Sequence, residues 1–184
     1  RKDDLSHLIN DLTGGRGGEK EVDTAIERLC SYAARADTIA ARAPGVAMHG
    51  LAVAARAPVG VIGAICPDEA PLLGLVSVLA PILAMGNRAV LVASEAYPLV
   101  APELSLIFEC LQMPPGAVNL LTGSHADLAP AMARHMEIDA LWCFSSSDLS
   151  AMIERESAEA MKRTWVNDGH ARDWFGAEGE DTAF

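Results

Sequence analysis

Basic residues are scarce in this sequence: 14 Lys and Arg stand against 25 Asp and Glu, for a formal net charge of −11. Gripping a phosphate backbone needs clustered cations that displace counterions, and the densest basic group here is the pair Lys162-Arg163. Nucleic acid is thereby excluded as a partner. Cysteine is sparse too. Cys30, Cys66, Cys110 and Cys143 form no CxxC pair, and their spacing suits neither zinc nor a secreted disulfide framework. Buried, reduced thiols of a cytoplasmic protein are expected. The five histidines lack metal-ligand spacing, and His125 and His135 are expected on a helix surface. The longest uncharged run, Ala70–Gly86, is interrupted by Gly74 and Pro81 and falls short of the ~20 residues that a membrane span requires. It reads as a buried helix, and no membrane partner is expected. A GxGxxG phosphate fingerprint is also missing, because Gly60 and Gly63 lie inside an apolar run and not after it.

What is present is an alternation of apolar runs and helical patterns. Leu5, Leu8, Ile9 and Leu12 recur at helical spacing, and the Gly-rich stretch Thr13–Gly18 then reads as a turn between helices. From Glu19 to about Arg42 the pattern is helical again, with Val22, Ile26, Leu29 and Ala33 expected on its buried face and Pro44-Gly45 as its stop. Two β segments follow, Leu51–Ala57 and Val59–Cys66, separated by Pro58. Helices are then expected over Ala70–Met85, Pro98–Leu111, His125–His135 and from Asp148 to about Lys162. Strands are expected over Ala89–Ala93, Ala117–Leu121, Ile138–Cys143 and at Trp165-Val166. Short connections and strands apolar on both faces predict an α/β fold: a Rossmann-like open parallel sheet with helices on both faces, preceded by an N-terminal helical segment. The expected division is a helical segment over 1–50, the sheet domain over 51–168 and a polar tail over 169–184, with Trp174 and Phe175 as that tail's large anchors. The start at Arg1 suggests a piece of something longer.

In such a sheet the ligand crevice lies at the carboxyl ends of the strands. Three loops belong there: Cys66–Pro71, Ala93–Glu95 and Ser145–Asp148. Glu95 closes a strand where dinucleotide folds place an acid for the ribose hydroxyls; an exposed acid ahead of Pro98 is an equal reading. Asp68 and Glu69 would complement the dipole of the helix they precede and repel a pyrophosphate. The serines could donate to phosphate, but capping the next helix is the simpler task.

Taken in order, these segments resemble the aldehyde dehydrogenase superfamily from about Arg1 to Gly169. The resemblance rests on Pro58–Gly63, Leu79–Asn87, Ser94-Glu95 with Pro98-Leu99, and Pro114–Asn119 with Thr122-Gly123. It implies most of a nicotinamide-cofactor domain. The departures point away from catalysis. The family's Pro-Trp-Asn-Phe-Pro, whose Asn helps hold an oxyanion, stands here as Pro67-Asp68-Glu69-Ala70-Pro71, and a carboxylate can only accept. Lys-Pro-Ser-Glu stands as Val92-Ala93-Ser94-Glu95, so the ribose acid survives without its lysine. Phe-Thr-Gly-Ser stands as Cys143-Phe144-Ser145-Ser146, adding a side chain where a pyrophosphate comes close. Glu-Leu-Gly-Gly, the source of the general base, is matched by Asn167-Asp168-Gly169-His170, and the family's nucleophilic cysteine lies beyond the matched region. Cys66 has no partner base in the sequence, and Asp68 and Glu69 would raise its pKa.

Met161–Asn167 with Arg172-Asp173-Trp174 most resembles the truncated second domain of family 16 aldehyde dehydrogenases. The expectation is a non-catalytic, pseudoenzyme domain with a structural, oligomer-mimicking role. Its partner would be a catalytic aldehyde dehydrogenase domain, in the same chain or in a homo-oligomer. Ser94, Glu95 and Ser146 would be vestigial cofactor-binding residues. No catalytic residue and no metal are expected, and NAD would bind weakly if it binds. The alternative is the NAD-binding portion of an active NAD(P)-dependent enzyme whose catalytic half lies elsewhere.

Overall fold

A computed structural model describes residues 1–15, 17–38, 56–176 and 179. Five parallel strands form one sheet in the order β3-β2-β1-β4-β5, with β1 Val61–Ile65, β2 Arg88–Val92, β3 Val118–Leu121, β4 Ala140–Cys143 and β5 Arg163–Val166. The chain moves outward from β1 through β2 to β3, then crosses back to β4 and β5. The switch point therefore lies between β1 and β4. Helices α3 (Pro71–Ala84) and α4 (Val100–Cys110) make the first two crossovers, and α5 (His125–Arg134) and α6 (Ser147–Ser157) make the last two. The expected fold class holds.

The two faces have separate cores, set by the two-residue period of the strands. Ala89 and Leu91 of β2 join Ile62, Ala64, Trp142 and the helices α3 and α4 on one side. Ile65, Val92, Leu141 and Cys143 meet Ala129, Met132 and Ala133 of α5 and Ile153 of α6 on the other. Strand residues are thus apolar on both faces because both faces are covered.

Helix α3 is buried from Pro71 to Ile82. A helix apolar all round needs cover on all sides, and α1 (Lys2–Thr13) and α2 (Gly18–Thr38) supply an outer layer over it. The turn between them fits its glycines. Gly14 closes α1 in the left-handed conformation (φ 70°), and a Cβ at Gly18 would stand 2.5 Å from the Ser6 carbonyl oxygen.

The buried face of α2 differs from the expected one. Val22, Ala25 and Tyr32 face inward together with Glu21 and Arg28, while Ile26 and Leu29 are 45% and 41% exposed and Ala33 is exposed. Apolar periodicity assigned charge to solvent, but both charged side chains find partners inside. Arg28 Nη1 donates to Ser77 Oγ (2.6 Å) and to the Trp174 carbonyl (2.9 Å). The seam is rotated toward them.

Several elements are shorter than expected at their ends; α4 begins at Val100 and α6 gives way to a 3₁₀ turn at Ala158–Ala160. Most of the strand expected over 51–57 and the helix stop at Pro44-Gly45 lie outside the described residues, and Arg56 and Ala57 are not in a strand. Trp174 packs into the α1–α4 side, its ring edge-on to Phe144 at 5.2 Å, and Phe144 meets Trp165 at 4.9 Å. No helix among the described residues is long and apolar enough to cross a membrane.

Candidate functional site

The three loops selected from the sequence do converge at the carboxyl edge of the sheet, following β1, β2 and β4. Their polar groups bond mainly to one another. Asp68, after β1, accepts from Ser94 Oγ and from the Ala96 N–H (3.2 Å), both in the loop after β2. Ser94 Oγ in turn accepts from the Tyr97 N–H at 3.0 Å. Ser94 is buried, and its hydroxyl acts as a turn-forming group within the loop.

The hydrogen bonds of Asp68 go to the loop after β2 and not to the helix that follows Asp68 itself. That helix is capped from elsewhere. Glu21 Oε1, reaching in from α2, accepts from the N–H groups of Leu72 (2.8 Å) and Leu73 (3.0 Å). These donors open α3, whose own preceding residue, Ala70, has no side chain able to cap. Burial pushes the Glu21 carboxyl above its ordinary value, opposed by the two backbone donors.

Glu95 remains exposed, yet its carboxylate is engaged: Oε2 accepts from the His125 N–H at 2.8 Å, at the first residue of α5. It leads no helix of its own. It caps another, where a negative charge is favoured. Ser146 caps α6, accepting from the Leu149 N–H at 3.3 Å. The helices α3, α5 and α6 thus each open at this edge with a backbone donor already held by a protein oxygen.

His125 overturns its surface assignment. It is 3% exposed, because α5 begins at the sheet edge with its first side chain turned inward. Nε2 lies 2.9 Å from the Ala93 carbonyl, just after β2, and Nδ1 lies 3.4 Å from Ser145 Oγ, just after β4. Since a carbonyl only accepts, Nε2 carries the proton that points to Ala93, and Nδ1 faces a hydroxyl that can either donate or accept. Strand β1 runs between β2 and β4, so the ring bridges the loops on either side of its carboxyl end. The sequence signal for this was only indirect: a histidine directly after a Gly-Ser turn, at the start of the helix expected from the pattern.

Of the thiols, Cys66 and Cys143 are buried as expected, but Cys30 and Cys110 are exposed on the outer faces of α2 and α4. Burial, with Asp68 second, raises the Cys66 thiol far above its ordinary value. Such a thiol is protonated and a poor nucleophile. Beyond β5, the Asn167 amide is turned into its own loop: Nδ2 donates to the His170 carbonyl at 2.9 Å. Gly169 (φ 73°) completes that turn beside Ser147. Among the described residues no group of three His, Cys, Asp or Glu side chains could hold a metal.

Comparison with known proteins gives this edge its setting. The chain is 34% identical over 150 residues to the NADP/NAD-dependent aldehyde dehydrogenase PuuC of Escherichia coli (strain K12), covering 81% of this chain and 30% of that protein. It is 37% identical over 115 residues to a 2-aminomuconic 6-semialdehyde dehydrogenase of a Pseudomonas species, covering 62% of this chain and 23% of the other. Among solved structures, an NAD+ complex of an aldehyde dehydrogenase from Bacillus cereus superposes with a TM-score of 0.77 at 26% identity, over 82% of this chain and 30% of that one. PnpE from Pseudomonas sp. WBC-3 gives a TM-score of 0.82 at 25% identity, over 89% and 34%. The chain spans less than a third of the length of these curated relatives. The aldehyde dehydrogenase family itself matches residues 1–172, and with the sheet order and the edge loops already in place the chain belongs to that family.

Proposed function

We propose that this chain is a non-catalytic domain of an aldehyde dehydrogenase-type protein, with a structural role beside a catalytic domain of the same chain or of a homo-oligomer. The finer likeness, to the truncated second domain of family 16 members, is part of this proposal and rests on Met161–Asn167 and Arg172–Trp174. A cytoplasmic setting fits the free thiols.

The observation that carries the reading is Asp68. It stands at the carboxyl end of β1 as an acceptor, bound to Ser94 and Ala96, where the family resemblance calls for an amide donor to a developing oxyanion. Asn167 replaces the expected base and is tied into its own turn, and no cysteine of these 184 residues stands in for the nucleophile. These residues do not fit a dinucleotide either. A pyrophosphate would meet helix starts already capped, two of them by the carboxylates of Glu21 and Glu95, with Asp68 alongside. We derive no step through NAD.

The test has two arms. Purified chain, given NAD or NADP and a panel of aldehydes, is expected to produce no reduced cofactor at 340 nm. Mixed with the remaining portion of its parent protein as a separate polypeptide, it is expected to co-sediment and to raise that portion's melting temperature. Turnover by the chain alone would end the proposal, and so would the absence of any association.

A further inference from the structure

We infer that the amino end of the sheet carries a binding site for a planar aromatic carboxylate, in a pocket at the opposite end of the strands from the loops described above. The pocket has a volume of about 560 Å³, within the range of small-molecule sites. Strand period and register build it. Ile62 pairs with Ala140, Ala140 with Arg163 and Trp142 with Trp165, so these side chains share the α3 face of β1, β4 and β5. Ala140 is the smallest of them and stands between Ile62 and Arg163, which leaves a hollow where the strands begin. Asn87, just before β2, closes another side. Trp165 lies edge-on to Trp142 at 5.7 Å, and the Arg172 guanidinium is 5.1 Å from its ring, so the aromatic wall is held in place.

The charged side chains around this hollow are two arginines, and no carboxylate lines it. Arg56 and Arg163 are exposed, and neither makes an ion pair among the described residues. In a chain of net charge −11, that is a local reversal of sign. The acid nearest in sequence, Asp139, has its Oδ2 on the Val61 N–H at 2.8 Å. Asn87 supplies a third donor. It is 8% exposed, and its Oδ1 accepts from the Gly60 N–H at 3.0 Å, which fixes the amide's orientation. Nδ2 is thereby left on the pocket wall with no acceptor among the described residues. A guanidinium meets a carboxylate through two parallel N–H bonds, the amide adds another, and the indole walls accept a flat apolar body. Inorganic phosphate answers only the charged half of this site, and a neutral ring only the apolar half.

The experiment is calorimetric titration of the full chain with 2-naphthoate, set beside 2-naphthamide, cyclohexanecarboxylate and inorganic phosphate. 2-Naphthoate is expected to bind with a Kd below about 1 mM, and each of the other three at least about tenfold more weakly. In a proton–nitrogen spectrum the indole N–H signals of Trp142 and Trp165 should move on titration, and that of Trp174 least. Arg163→Gln and Arg56→Gln alter exposed side chains and keep the fold; each should weaken 2-naphthoate at least about tenfold. Asn87→Asp keeps an acceptor for the Gly60 N–H but sets a carboxylate oxygen in place of Nδ2, and should abolish saturable binding. If that variant does not fold, the arginine variants decide. No saturable binding by the native chain would overturn the inference, as would equal affinity for 2-naphthamide or cyclohexanecarboxylate. Affinity unchanged in both arginine variants would overturn it too, and so would competition by NAD, which would place the ligand at the carboxyl edge. Failure to associate with a catalytic portion would sink the proposed structural role and leave this result standing.

Discussion

Two sets of buried polar groups, one between α2 and α3 and one at the sheet's carboxyl edge, use the same kinds of bond to different ends. In the first, Glu21 and Arg28 are 4% and 6% exposed and join elements far apart in the chain: α2, α3 and the segment around Trp174. Every group there has left water and has a partner only while the layers stay packed. In the second, Ser94 and His125 are buried but bond outward to rim carboxylates and loops, and Asp68 and Glu95 keep a face to solvent. Water can take over part of what is lost there. The first set holds the outer helices on, whereas the second ties the loops of the edge to one another.

That contrast ranks the expected effects. Trp174→Ala should be the most damaging, costing about 3–5 kcal/mol as a large aromatic removed from a packed site. It would also loosen the backbone whose carbonyl accepts from Arg28. Urea denaturation followed by circular dichroism measures this directly, and a loss under about 1 kcal/mol would break the comparison. Glu21→Ala comes next, at about 1–3 kcal/mol, because the Leu72 and Leu73 N–H groups are left buried without an acceptor.

Glu21→Gln sharpens the point through pH. A carboxyl whose folded value lies above its unfolded one takes up a proton more readily in the folded state. The native fold therefore loses stability as pH rises from the ordinary glutamate value of 4.5 through the raised one. In the Gln variant that falling component should vanish, so the difference between native and variant should move in the variant's favour across this interval. A difference that stays flat with pH would show the carboxylate to be no more costly folded than unfolded.

Much of the architecture was legible because both faces of the sheet are covered: Val59–Cys66, Ala89–Ala93 and Ile138–Cys143 could only be strands lined by helices. The loops of the site were legible for the same reason, since topology alone takes them to one edge. The partners within that edge were not. Nothing in a linear pattern says that Glu21, 51 residues before Leu72, caps α3, or that Glu95 caps α5. Each is a long-range bond between a side chain and a helix end, and local signals at Ala70 or Ser124 do not announce it. The rotation of α2 has the same origin. Ile26 and Leu29 look like core by hydropathy, and Arg28 looks like surface until Ser77 and the Trp174 carbonyl are there to receive it.

Ser94→Ala tests the weaker side of the comparison. Its hydroxyl is as buried as any polar atom near Glu21, yet the expected cost is about 0.5–1.5 kcal/mol. Asp68 keeps the Ala96 N–H and an open face to water, so no buried carboxylate is stranded. A loss matching that of Glu21→Ala would make the crevice network part of the fold's main support.

The smallest effect is kinetic. Cys30 and Cys110 are exposed and should react with Ellman's reagent within the mixing period, two thiols per chain. Cys66 and Cys143 should react only as fast as the protein opens. Both are buried, and burial is the first cause that raises each thiol, with Asp68 adding to it at Cys66 and hydrogen bonds from Ser145 and Ser150 opposing it at Cys143. The slow phase should therefore be independent of reagent concentration and should accelerate in Trp174→Ala, which weakens the whole fold. It should barely change in Ser94→Ala. Rapid labelling of Cys66 in the native chain would mean that the carboxyl end of β1 opens locally, and the network of the edge would then be dynamic and not fixed.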